Sequence, residues 1–233
     1  YIAYQWLLDL WHYLMSVVYP RFLEIASAPF FHREMLWIIA PLVITVCLVQ
    51  LYFGRHKNEE LGWNTAYGNA IVLIFVTINL FHYLYITFGT DILDITHSAF
   101  PKLVIVILGL LHAISLMFID FWHLLPKKLS FFLSNSLFVN VTSFIAIVLV
   151  YGEVPLDYHT LVTACVFILV VALFFMMFRA LIPPTETAER YLERKKERKE
   201  RTYEERKQKI KSKIRDVNDS IERKVSDTKD TLH

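Results

Sequence analysis

The chain has 233 residues, 55% of them hydrophobic and 15% aromatic, with a mean hydropathy of +0.42, yet 20% are charged. These figures coexist because the charge is segregated: residues 186–233 hold 16 of the 24 Lys/Arg and 12 of the 22 Asp/Glu. An ordinary soluble enzyme and a disordered chain are both excluded, which leaves an integral membrane protein with a charged tail.

At the start of the chain Gln5, Asp9, His12 and Ser16 recur at helical spacing as one polar stripe, and Trp6, Leu7, Leu10, Trp11 and Leu14 cover the rest. Pro20 and Arg21 are expected to end this helix. It either lies in the outer interface, where Trp is at home, or forms a sixth span whose stripe faces a bundle interior or another subunit. Residues 1–33 are therefore read as an amphipathic helix and its connection.

Residues 34–182 carry the membrane bundle. A spanning helix needs roughly 20 mostly apolar residues to cross about 30 Å of hydrocarbon. Five stretches qualify: Met35–Phe53, Tyr67–Phe88, Leu103–Leu125, Leu129–Tyr151 and Thr160–Ile182. The expected fold is thus all-α, a polytopic membrane bundle of five spans with a sixth left open. Lipid offers no partner to an unpaired backbone group, so helices are required. Arg55 and Lys57 follow the first span, Lys127 and Lys128 follow the third, and the basic tail follows the fifth. The alternate loops, Thr90–Lys102 and Gly152–His159, are acidic instead. The bias of Lys/Arg towards the cytoplasm then places the C-terminus there and the protein in the cell membrane.

Polar residues inside the spans are the most informative, because hydrocarbon makes them costly. Asn79 and His82 share a face of the second span. His112, Ser115, Asp120 and His123 cluster on a face of the third, and Ser136, Asn140 and Ser143 on a face of the fourth. At 1.5 Å per residue Asn79, His112 and Asn140 each lie about 15 Å deep. The expectation is one buried polar site at the midplane built from Asn79, His82, His112 and Asn140, with Ser115 and Ser136 beside it and Asp120 and His123 continuing it inwards. Such residues also serve plain helix packing, or, for His82 and His112, haem or metal ligation. No metal-ligand spacing supports the last, and no cofactor is expected. Asp91, Asp94, His97, Glu153, Asp157 and His159 form an acidic outer cluster, which is either a cation-concentrating mouth or simply what outer loops poor in basic residues look like.

Residues 183–233 read as a cytoplasmic charged helix. Pro183-Pro184 stops the last span and Thr185 is placed to cap a new helix. Further on, Ile210, Ile214, Val217, Ile221 and Val225 form an apolar seam of the kind that joins helices in a coiled coil. The tail is expected to self-associate into a homo-oligomer or to recruit a cytoplasmic partner, and nucleic acid is not expected. No catalytic motif is legible, so an enzyme is not expected either. Two functions stand: an oligomeric channel or transport protein for a cation or protons, and a membrane anchor or scaffold acting through its tail.

Overall fold

The computed structural model describes the backbone of residues 2–59 and 61–230 and the side chains of 4–59 and 61–214. The described residues are all helix and connection, with no strand. They form two units: Tyr1–Arg55 with Glu59–Pro183, and His56–Asn58 with Pro184–His233.

The first unit opens with α1 (Ile2–Tyr13), which does not end at Pro20 as the sequence suggests. It runs through a π-helical turn, Leu14–Val18, directly into α2 (Tyr19–Phe31). Proline lacks an N–H and crowds the carbonyl one turn back. The π-turn absorbs this by widening the helix, with the Tyr19 N–H reaching back to the Leu14 carbonyl, and Pro20 falls in the first turn of α2, where a missing N–H costs little. Trp6, Leu7 and Trp11 of α1 are exposed, whereas α2 buries Ile25 and Ala28 and sets Phe22 5.2 Å from Phe167, ring to ring.

Five helical segments are long and apolar enough to cross a membrane: Arg33–Arg55, Trp63–Leu93, Phe100–Phe121, Lys127–Tyr151 and Tyr158–Leu181. They comprise α3 (Arg33–Arg55), α4 (Trp63–Phe88) with a 3-10 turn over Gly89–Leu93, α5 (Phe100–Phe121), α6 (Lys127–Leu133) with α7 (Ser136–Tyr151), and α8 (Tyr158–Leu181). Two boundaries differ from expectation. The third span stops at Phe121, because His123 takes a left-handed conformation (φ 52°) and lets the Leu124 N–H turn back to the Ile119 carbonyl, a Schellman closure with His in the place usually held by Gly. The fourth span is broken at Ser134–Asn135, where the Asn135 side chain accepts a hydrogen bond from the Leu137 N–H and starts α7 afresh.

α7 lies at the centre, touching α2, α3, α4, α5, α6 and α8. Its Ile147, Val148 and Val150 are buried with Met35, Ile39 and Leu84 in one apolar cluster, and Val139 joins Ala70, Leu73, Ala113 and Leu116 in another. α4 and α5 pack closely: a Cβ on Gly109 would stand 2.8 Å from Thr77 Cγ2, so glycine is what permits their approach.

In the second unit α9 (Glu186–Asp230) is a single helix of 45 residues. The Thr185 hydroxyl accepts from the Ala188 N–H (3.3 Å) and its carbonyl from the Glu189 N–H (2.8 Å), which satisfies two of the donors at the helix start. Glu186 pairs with Arg190 across one turn at 3.7 Å, and Glu204 with Lys207 at 3.9 Å, both exposed. Ile210 and Ile214 of the seam are exposed; the side chains of Val217, Ile221 and Val225 lie outside the described residues.

Candidate intramembrane polar site

The polar stripe of α7 faces inwards. Ser136, Asn140 and Ser143 are all buried. The Asn140 amide nitrogen donates to the Ser136 carbonyl (2.6 Å) and hydroxyl (3.1 Å), and the Ser143 hydroxyl to the Val139 carbonyl (2.8 Å). The Asn140 Oδ1 is buried and has no partner. On α5, half-buried His112 sets its ring edge-on to Phe138 at 6.5 Å, and its Nε2 is likewise buried without a partner. Ala113 and Val139, their immediate neighbours in sequence, share one buried cluster, so α5 and α7 pack together in this part of the bundle. A buried polar atom left unpaired costs about 1–3 kcal/mol, which makes both of these atoms costly features of the bundle.

Asp120, 2% exposed, lies one residue before the end of α5. Its carboxylate accepts the Ser130 hydroxyl of α6 and, at 2.5 Å, the Ser134 hydroxyl, while Asn69 of α4 donates to the Ser134 carbonyl at 2.7 Å. The group therefore ties α4, α5 and α6 together, and hydroxyl donors occupy both its oxygens.

The remaining expected members are not brought to this site. Asn79 and His82 do share a face of α4, but it is the outward one, because Leu73, Val76, Thr77, Leu80 and Leu84 take the inward positions. Asn79 meets only the Tyr151 hydroxyl, at 3.4 Å. Ser115 is also exposed and donates back to the Leu111 carbonyl at 2.7 Å. His123 lies beyond α5, so the helical face assumed for it ends before it; its ring packs on Trp63 at 4.0 Å.

Most of the outer cluster has local structural work. Asp94 Oδ1 accepts the Thr96 N–H (2.9 Å) and hydroxyl (2.8 Å), bonds that hold its carboxyl below the usual carboxylate range. Asp157 caps α8 by accepting the Thr160 N–H at 2.7 Å, which lowers its carboxyl in the same way. The His97 ring nitrogen accepts the Ala99 N–H at 3.1 Å, and His159 meets the Tyr13 hydroxyl at 3.1 Å. Asp91 and Glu153 stay exposed.

Sequence reasoning missed Gln50, Thr77 and Asn135. Gln50 (4% exposed) and Asn135 help line a cavity of about 480 Å³ at the end of the bundle formed by the last turns of α3 and α8 and the start of α6. A second cavity of about 250 Å³ shares Gln50, Asn135 and Arg179 with Leu137, Ala172 and Met176. Gln50 has no polar neighbour at helical spacing on α3, so no stripe announces it. Thr77 satisfies itself against the Leu73 and Ile74 carbonyls and is inconspicuous among its apolar neighbours. Among the described residues no three His, Cys, Asp or Glu side chains gather as a metal site. No protein-family model matches the chain, and comparison with characterised proteins and with solved structures finds no match.

Proposed function

We propose that this is a multi-pass protein of the cell membrane that carries protons or a cation as a homo-oligomer, with its C-terminal helix in the cytoplasm. The observation that carries the reading is that two helices that pack together, α5 and α7, each bury an orphaned polar atom, His112 Nε2 and Asn140 Oδ1. Polar atoms kept unpaired inside a span are favoured where water, a proton or an ion completes their coordination. The five apolar helices support the membrane setting, and the Lys/Arg bias of Arg55, Lys57, Lys127, Lys128 and α9 supports the orientation. Protons fit better than a metal cation. Lys127, Lys128 and Arg179 surround the inner cavity and repel cations, whereas imidazoles exchange protons near neutral pH. Exposed Asn79, His82 and Ser115 on the outward face favour a second copy there, since lipid is a poor partner for them.

The test is proton flux into proteoliposomes, followed by a pH-sensitive dye. His112→Leu and Asn140→Leu are expected to remove most of the flux, and Asn79→Leu to leave it nearly unchanged. Wild-type protein without flux over a range of cations and pH values would sink the proposal. That result would favour a membrane scaffold, for which the 45-residue charged helix α9 speaks.

A further inference from the structure

A cavity of about 480 Å³ at the end of the bundle contains neither His112 nor Asn140, although Ser136, which accepts from the Asn140 amide, stands on its lining. Its cationic lining comes from Lys127 and Lys128 at the start of α6 and Arg179 near the end of α8. Gln50, Asn135 and Ser136 add hydrogen-bonding groups, and Val49, Phe53, Leu61 and Phe131 make the walls apolar. One carboxylate, Glu59, is present, and it accepts the Tyr52 hydroxyl at 2.5 Å. The lining thus carries three cations against one acid. Arg179 is exposed, with its guanidinium carbon 5.9 Å from the centre of the Phe53 ring, and its planar fork suits a bidentate anion. α7 begins at Ser136 on the same lining, adding the positive end of its dipole. Arg179 and Phe53 each lie two residues inside the end of their helix, so the cavity sits at one end of two apolar helices long enough to cross a membrane.

The geometry points to a binding site for a phosphate-bearing anion in this cavity, with Arg179 as its fork and Lys127 and Lys128 as its point charges. The volume of about 480 Å³ exceeds what a lone phosphate fills and suits a phosphate with its attached glycerol. Cations alone would serve a free phosphate equally well; the apolar walls favour the headgroup of an anionic phospholipid. The site does not depend on proton transport.

The test uses the full chain in nanodiscs of phosphatidylcholine, with phosphatidylglycerol added stepwise, and reads bound lipid by native mass spectrometry and stability by thermal unfolding. Phosphatidylglycerol is expected to be retained and to raise the unfolding temperature. Arg179→Gln is expected to weaken retention about tenfold, as for loss of one charge-assisted contact. Lys128→Gln should weaken it about threefold, since a single ammonium cannot make the paired contacts of a guanidinium fork. Arg194→Gln, in the basic stretch of α9, should change nothing and so separates the cavity from general attraction of the tail. Inorganic phosphate in discs of phosphatidylcholine alone identifies the source: stabilisation by it assigns a free anion, and stabilisation by phosphatidylglycerol only assigns the headgroup. Retention that survives the Arg179→Gln/Lys128→Gln double variant, or that falls equally with Arg194→Gln, overturns the site. So does a wild-type protein indifferent to both ligands. Should Arg179→Gln fold poorly, Arg179→Lys keeps the charge without the fork and is expected to bind with intermediate strength.

Discussion

The fourth and fifth spans are consecutive and similar in length, yet 56% of the apolar window in Lys127–Tyr151 is buried and only 17% of that in Tyr158–Leu181. The more apolar of the two is the less enclosed. In water the order would be reversed. In a bilayer the outer surface has to be uniformly apolar, while the centre can hold Ser136, Asn140 and Ser143 against other helices. α8 accordingly shows Leu161, Leu169, Leu173 and Phe174 on its surface, and α7 is surrounded on all sides by neighbours. High hydropathy therefore marks the periphery here, and a slight loss of it marks the core.

The contrast can be broken most directly with one alanine in each helix. Ile147→Ala in α7 removes a fully buried side chain and is expected to cost about 2–4 kcal/mol in reversible unfolding, from lost transfer energy and the cavity left behind. Leu169→Ala in α8, where the side chain is 59% exposed, should cost less than about 0.5 kcal/mol. Equal losses would show that α8 is covered by another copy in the assembled protein. Next in size is the carboxylate that joins α5 to α6. Asp120→Ala strands the Ser130 and Ser134 hydroxyls and should destabilise by about 2–3 kcal/mol, with Asp120→Asn losing about half as much because one acceptor remains.

A third substitution separates packing from transport within α7. Asn140→Leu removes the amide bonds to Ser136 but also the orphaned oxygen, so its net effect on unfolding is expected to stay within about 1 kcal/mol. Flux should nevertheless fall. A large loss of stability with flux retained would make Asn140 a packing residue and leave His112 alone as the candidate.

The contrast between the helices also explains what the sequence could and could not convey. Apolar length marks all five spans, because a bilayer demands it regardless of neighbours. The inward stripe of α7 is legible from spacing, since Ser136, Asn140 and Ser143 fall on one face. Spacing also places Asn79 and His82 together, but nothing in it says which side of α4 the bundle occupies. That is decided by Leu73, Val76, Leu80 and Leu84, whose apolar character is no different from that of the residues facing out. The break at Asn135 and the passage of helix through Pro20 depend on single capping and π-turn bonds that hydropathy does not register. The cavity at the end of the bundle was hidden for a different reason: Gln50, Asn135 and Arg179 come from three separate helices and meet only in the folded bundle.

The smallest expected effect lies in how the two helices begin. α7 is capped by Asn135, an amide that does not titrate, and α8 by the exposed carboxylate of Asp157. The Thr160 N–H foremost, then its hydroxyl and the Arg21 and His159 charges, hold Asp157 below the ordinary carboxyl value. A group whose pKa is lower in the folded state contributes its full stabilisation above its unfolded value, about 3.9, and loses it as pH falls through the folded value. Wild-type protein should therefore lose part of its thermal stability on acidification below about pH 4, beyond what the other acids contribute. Asp157→Asn keeps an oxygen for the Thr160 N–H and cannot titrate, so its unfolding temperature should fall less steeply over the same range, while Asp157→Ala should be weaker than wild type already at neutral pH. If wild type and Asp157→Asn run parallel down to pH values where all carboxylates are protonated, the cap contributes nothing that depends on charge. The two helices would then begin alike, in spite of the different residues that start them.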